Sequence, residues 1–150
     1  PPPTAVAKLA SPRTGDGPGE PWRVLQVCGG PEIAVLAGVV LGAAEAGAVV
    51  VTDGLATAVA VLIAVRLQPA AGAHLVAGQR SREAGHPLVL QALGLEPILD
   101  LRLRAGEGAG AALAWGVLRA GLDLRSSTAV TGLAPQPGSD SWPGLTPRPR

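Results

Sequence analysis

The amino-acid sequence predicts an α/β domain with a mostly parallel sheet, and three observations predict it. Short β-branched segments alternate with longer segments of Ala, Val and Leu, the rhythm of strand–helix–strand units. The strand-like segments are apolar on both faces, as strands covered by helices on each side must be. Hydrophobic residues make up 47% of the 150 residues, ample for a core, yet Phe, Tyr and Met are absent and Trp occurs three times. A core of Ala, Val, Leu and Ile lacks large anchors, so many small contacts and close helix–sheet approach must stabilise it.

Residues 1–21 are rich in Pro and Gly with mixed charges, which predicts a linker or disordered lead-in to a folded domain over 22–133. The first helix is announced by "GGPEIAVLAGVVLGAAEAG": Pro31 suits the first helical position, Glu32 complements the positive end, and Gly47 stops it. "AVVVT", residues 48–52, reads as a central strand ended by Asp53-Gly54. "LATAVAVLIAVRL" supplies a second helix that stops before Pro69. "AHLVAG", residues 73–78, is a second strand, followed by the polar "QRSREAGH" and the helical "PLVLQALGL". "EPILDLRLR" carries a third strand-like segment, and Gly106-Glu107-Gly108 opens a last helix running to about Leu124. The tail, 134–150, is Pro-rich and expected to be disordered.

Composition excludes several function classes. A formal net charge of +1, with scattered basic residues, does not suit nucleic acid or an anionic membrane as partner. The longest apolar run, 55–65, lies between Asp53 and Arg66 and is far short of the ~20 residues that cross a bilayer. Cys28 is the single cysteine, so an internal disulfide is ruled out; a buried inert thiol and a cytoplasmic location are the expectations. No secretory signal is visible, and the absence of Met leads to the expectation of a processed chain or a piece of a longer polypeptide. His74 and His86 have no Cys or carboxylate at metal-ligand spacing and read as ordinary surface or loop residues, so neither metal nor cofactor is expected. Gly29-Gly30 and "GEGAG" match neither a Walker loop nor the dinucleotide fingerprint.

Right-handed crossovers place all strand C-terminal ends on one edge, where ligands bind in open α/β sheets. Three polar clusters follow successive strands and are expected to converge there: Asp53-Gly54, Gln79-Arg80-Ser81 and Gly106-Glu107-Gly108. Each has a plainer alternative. Asp53 fits a turn in which its carboxylate bonds nearby backbone, and Ser81 fits a helix cap. Glu107 fits an acidic helix start, although capping needs no glycine on each side; a backbone that approaches a ligand closely does.

The segments "GGPEIAVLAGVVLGAAEAGAVVVTDG" and "QRSREAGHPLVLQALGLEPILDLRLRAGEGAGAALA" carry a resemblance. Over residues 22–128 the chain resembles the C-terminal half of the nicotinate-nucleotide:dimethylbenzimidazole phosphoribosyltransferase family. The resemblance implies a Rossmann-like three-layer domain, a partial copy of a larger fold. It implies transfer of phosphoribose from nicotinate mononucleotide to dimethylbenzimidazole, giving α-ribazole phosphate and nicotinate for the cobalamin lower ligand. On the same basis Glu107 is the general base, Asp53 and Ser81 contact the ribose phosphate, Gly106 flanks the bound base, and Gly54 and Gly108 complete the substrate contacts. No cofactor is implied, and the complete enzyme is expected to be a homodimer. Two departures stand out: the family's N-terminal half is absent from this sequence, and Gln79 stands where many members have His. A non-catalytic nucleotide-binding or dimer-supporting remnant is the alternative reading.

Overall fold

The computed structural model describes residues 20–103 and 105–128. The expected tail, and the lead-in as far as residue 19, lie outside the described residues. Two compact units divide after Leu118.

The first unit begins with a helix that the sequence reading did not anticipate, α1 (Glu20–Cys28). It is short and follows a Pro-rich stretch, but Pro21 and Leu25, one helical turn apart, give it a buried edge. The side chain of Cys28, the expected buried thiol, lies outside the described residues. Next come α2 (Pro31–Glu45), β1 (Val50–Thr52) and α3 (Leu55–Leu67). Pro31 opens α2 with Glu32 in its first turn, as anticipated.

The second strand is shorter than expected. Residues Pro69–His74 wind into a 3-10 helix, and β2 spans only Leu75–Ala77. Pro69 fixes its own φ, and Ala70, Ala71, Gly72 and Ala73 supply no β-branched side chain to favour an extended backbone. β2 pairs parallel to β1, Val50 with Leu75 and Thr52 with Ala77. Helix α4 (His86–Leu93) follows.

The third strand-like segment, 96–104, joins through Ile98 and Leu99. Ile98 N–H donates to Ala77 O at 2.9 Å, Leu99 N–H to Gly78 O at 3.0 Å, and Arg80 N–H to Leu99 O at 2.8 Å. Beyond Leu99 the chain leaves the sheet, and Arg102 takes a left-handed backbone, φ 53°. Helix α5 (Ala109–Ser127) begins in this unit. A Cβ on Gly78 would collide with the Thr52 carbonyl oxygen and lie 3.2 Å from Ala111 Cα. This glycine therefore lets β2, β1 and the start of α5 touch backbone to backbone.

The core centres on α3. Ala58, Ala60, Val61, Leu62, Ile63 and Ala64 are all buried, packed by Leu25 of α1, Ala37 and Val40 of α2, and Val89 of α4. Small side chains let these helices approach closely, the arrangement that an aromatic-poor composition demands. Of the second unit the described part is residues 119–128, with Leu122 and Leu124 exposed. There Ser127 Oγ and Thr128 Oγ1 donate to the Leu124 carbonyl, tying the helix end back on itself. Among the described residues no helix is long and apolar enough to cross a membrane.

Candidate functional site

The parallel strands end together, and the polar residues that follow them meet in a cavity of about 570 Å³, within the range of small-molecule sites. Asp53, Gly54, Gln79, Ser81, Arg82, Glu83, Leu103, Ala105 and Gly106 line it. Of the three anticipated clusters, Asp53-Gly54 converges fully, the second contributes Gln79 and Ser81 but not Arg80, and the third contributes Gly106. Glu107 and Gly108 are not in the lining. Glu107 is exposed, one residue from the wall.

Asp53 is buried, 8% exposed, and does not make the local turn its sequence allows. Its Oδ1 accepts from Gln79 Nε2 at 3.2 Å and from the Ala111 N–H at 3.1 Å. Ala111 is the third residue of α5, so Asp53 caps a helix that begins more than fifty residues later. A negative group at a helix N-terminus satisfies an orphan N–H and meets the positive end of the dipole. The turn itself is held by Thr57, whose Oγ1 accepts from the N–H groups of Asp53 and Gly54, both at 3.1 Å. Strand end, strand neighbour and helix start are thus locked on one carboxylate.

Ser81 caps no helix: α4 starts five residues later, behind Gly85. Ser81 Oγ instead donates to Glu83 Oε2 at 2.9 Å and accepts from the Glu83 N–H at 3.3 Å. The same Glu83 oxygen receives the Leu55 N–H, the first of α3, at 3.4 Å. Glu83 was not singled out from the sequence, though a Ser and a Glu two positions apart in a polar turn were the available signal. Arg80 Nε pairs with Asp100 Oδ2 at 3.3 Å on the exposed side, which ties the loop to the third segment.

His86 corrects the sequence reading outright. It is neither a surface nor a loop residue but fully buried at the start of α4. Its Nδ1 accepts the Ser81 N–H at 2.9 Å, so in the neutral ring the proton sits on Nε2. Nε2 is buried without a partner among the described residues. Burial holds the imidazole below its ordinary pKa; Glu83 and Asp53 pull it up, and Arg80 pushes it down. A His before a Pro-led helix gives no sequence sign of this; only the packing of α4 under the loop does.

The last loop is built in another way. Gly106, Glu107 and Gly108 have successive φ of 66°, 55° and 81°. Glycine takes the left-handed region freely, whereas a glutamate there costs roughly 1–3 kcal/mol. The flanking glycines take the unusual torsions that the sequence reading gave as one reason for them. Ala109 N–H donates back to Gly106 O at 3.0 Å, closing the turn into α5. No group of three or more His, Cys, Asp or Glu that could hold a metal occurs among the described residues.

Comparison with known proteins gives this geometry a context. A family model described as a phosphoribosyltransferase matches residues 4–133. Nicotinate-nucleotide–dimethylbenzimidazole phosphoribosyltransferase of Azotobacter vinelandii is 46% identical over 126 residues, which are 84% of this chain and 36% of the relative. The protein of that name from Variovorax paradoxus is 52% identical over 99 residues, 66% of this chain and 28% of its own length. The solved structure of the Thermus thermophilus phosphoribosyltransferase of the same name superposes with a TM-score of 0.65 at 45% identity, covering 76% of this chain and 34% of that one. This chain spans about a third of the length of the curated relatives it matches.

Proposed function

The chain belongs to this phosphoribosyltransferase family, and from that premise we propose that it is the nucleotide-holding portion of an enzyme that moves phosphoribose from nicotinate mononucleotide to dimethylbenzimidazole. One observation carries the reading: Asp53, Ser81 and Gly106 line a single cavity at the C-terminal ends of the parallel strands, with Glu107 beside it.

A benzimidazole nitrogen attacks C1′ of the ribose. The C1′–N bond to nicotinate breaks, and nicotinate leaves with the bonding electron pair as a neutral pyridine ring. The second benzimidazole nitrogen carries an N–H that becomes acidic as the first one bonds, and the Glu107 carboxylate takes that proton. Asp53 and Ser81 hold the ribose phosphate. The products are α-ribazole phosphate and nicotinate. Glu107 is exposed outside the lining, so the loop has to fold over the flat base to bring the carboxylate within reach. Its left-handed backbone suits such close approach. The complete enzyme in this reading is a cytoplasmic homodimer, and the walls absent from this chain are supplied by the rest of the family fold.

The test is turnover by this chain with that remainder supplied, followed as α-ribazole phosphate. Glu107→Gln keeps size and hydrogen bonding but loses proton acceptance, so the rate should fall ~100- to 10,000-fold while nucleotide affinity holds. Near-normal turnover of the variant would reduce Glu107 to a helix-start residue, whereas no turnover by the wild-type chain with the remainder supplied would favour the non-catalytic remnant.

A further inference from the structure

Gln79 sits at the end of the parallel pairing, bridged to Leu99. It is 4% exposed and yet lines the cavity. Its Nε2 donates to Asp53 Oδ1. A carboxylate oxygen accepts and does not donate, so the NH₂ end of the amide has to face Asp53 and Oε1 has to face away. That Oε1 is buried and has no partner among the described residues. Buried carbonyl oxygens in folded proteins are nearly always paired, so the missing donor belongs to something other than these residues.

We infer that Gln79 determines the specificity of the cavity, its Oε1 accepting a hydrogen bond from a sugar hydroxyl of the bound nucleotide. This rests on the nucleotide reading of the cavity given above. The phosphate and carboxylate oxygens of nicotinate mononucleotide serve chiefly as acceptors, whereas its ribose carries two adjacent O–H donors. Two acceptors stand ready for them. Asp53 takes both of its hydrogen bonds on Oδ1, and Oδ2 takes none among the described residues; Gln79 Oε1 is the second. A vicinal diol matches such a pair, one hydroxyl to each oxygen. Oε1 is closed off as the side chain stands, so the amide turns about its soft last torsion to meet the hydroxyl, and the bond to Asp53 is long at 3.2 Å. Gly110 makes room for this: a Cβ there would collide with the Gln79 side chain.

The experiment titrates the whole chain with nicotinate mononucleotide and with its 2′-deoxy and 3′-deoxy forms. One deoxy form should bind roughly 10- to 100-fold more weakly than the ribonucleotide, the cost of leaving a buried acceptor unpaired. In Gln79→Met, which keeps the bulk but not the acceptor, that ratio should fall toward one. A thermal transition establishes that the variant is folded, and Gln79→Leu replaces it where none is seen. Equal binding of all three nucleotides by the wild-type chain, or an unchanged ratio in the variant, overturns the inference alone. Failure of the wild-type chain to bind any of them overturns the nucleotide reading together with it.

Discussion

Asp53 and Gln79 in the cavity wall, and His86 behind Ser81, are buried and together hold the Ala111 and Ser81 N–H groups, whereas Gly106 in the wall, with Glu107 and Gly108 next to it in the chain, is exposed and held in left-handed backbone. The first side is preorganised. Its carboxylate is fixed by donors from a strand neighbour and a helix start, so it binds a ligand with little reordering cost. In the proposed function the second side carries the proton acceptor, Glu107, and closes only over a bound ligand. A site that both holds a nucleotide and admits a second, flat substrate needs this division, because a fully closed wall admits nothing.

The contrast breaks most visibly at Asp53. Asp53→Ala removes the acceptor for both Gln79 Nε2 and the Ala111 N–H, and should cost about 2–4 kcal/mol. Its signature is a lower denaturant midpoint at unchanged slope, together with weaker nucleotide binding. If stability holds, the buried side is not the anchor claimed for it. Gly108→Ala probes the open side. At φ 81° an added Cβ should cost about 1–2 kcal/mol, read from the same unfolding curves. Nucleotide affinity should stay near wild type, since Gly108 is outside the lining.

The smallest effect is a pH slope from His86. Its folded pKa lies below its ordinary value, so the unfolded chain binds the proton more readily. Stability is therefore fully present above about pH 6.5, where both states are neutral, and is lost as pH falls from there toward the folded value. Denaturant midpoints taken between pH 7.5 and 5 should drop for the wild-type chain, and the drop should shrink in His86→Gln. A wild-type midpoint that rises over the same interval would contradict the buried neutral ring.

Much of this was legible in the sequence, for physical reasons that differ by element. Helices Pro31–Glu45 and Leu55–Leu67 announce themselves through Pro31, Pro69 and runs rich in Ala, Val and Leu. Their burial does not follow from those runs. Leu55–Leu67 is enclosed, whereas Val35 and Val39 of Pro31–Glu45 are more than half exposed, although no charged residue occurs between Glu32 and Glu45 to mark that face. The convergence of Asp53, Ser81 and Gly106 follows from parallel topology, which the alternation of strand and helix encodes. What alternation cannot encode is how far a strand pairs. "EPILDLRLR" reads as a strand, yet pairing stops after Leu99, where Asp100 turns to Arg80 and the Arg102 backbone turns left-handed. Nor do residue types reveal that His86 lies under the loop, since its burial is made by contacts with residues elsewhere in the chain.

The bare backbone at Gly78 and Gly110 has a consequence for heredity. Every amino acid reachable from a glycine codon by a single base change carries a Cβ, and at both positions that atom would collide, with Thr52 O at one and the Gln79 side chain at the other. No single coding change at either codon leaves the contact between strand ends and helix start as it is. At Gly78 the obstacle is backbone and cannot step aside, whereas at Gly110 it is the Gln79 side chain, which would have to move first. The order in which substitutions become tolerable around this cavity is thus constrained by two hydrogen atoms where a methyl group would otherwise stand.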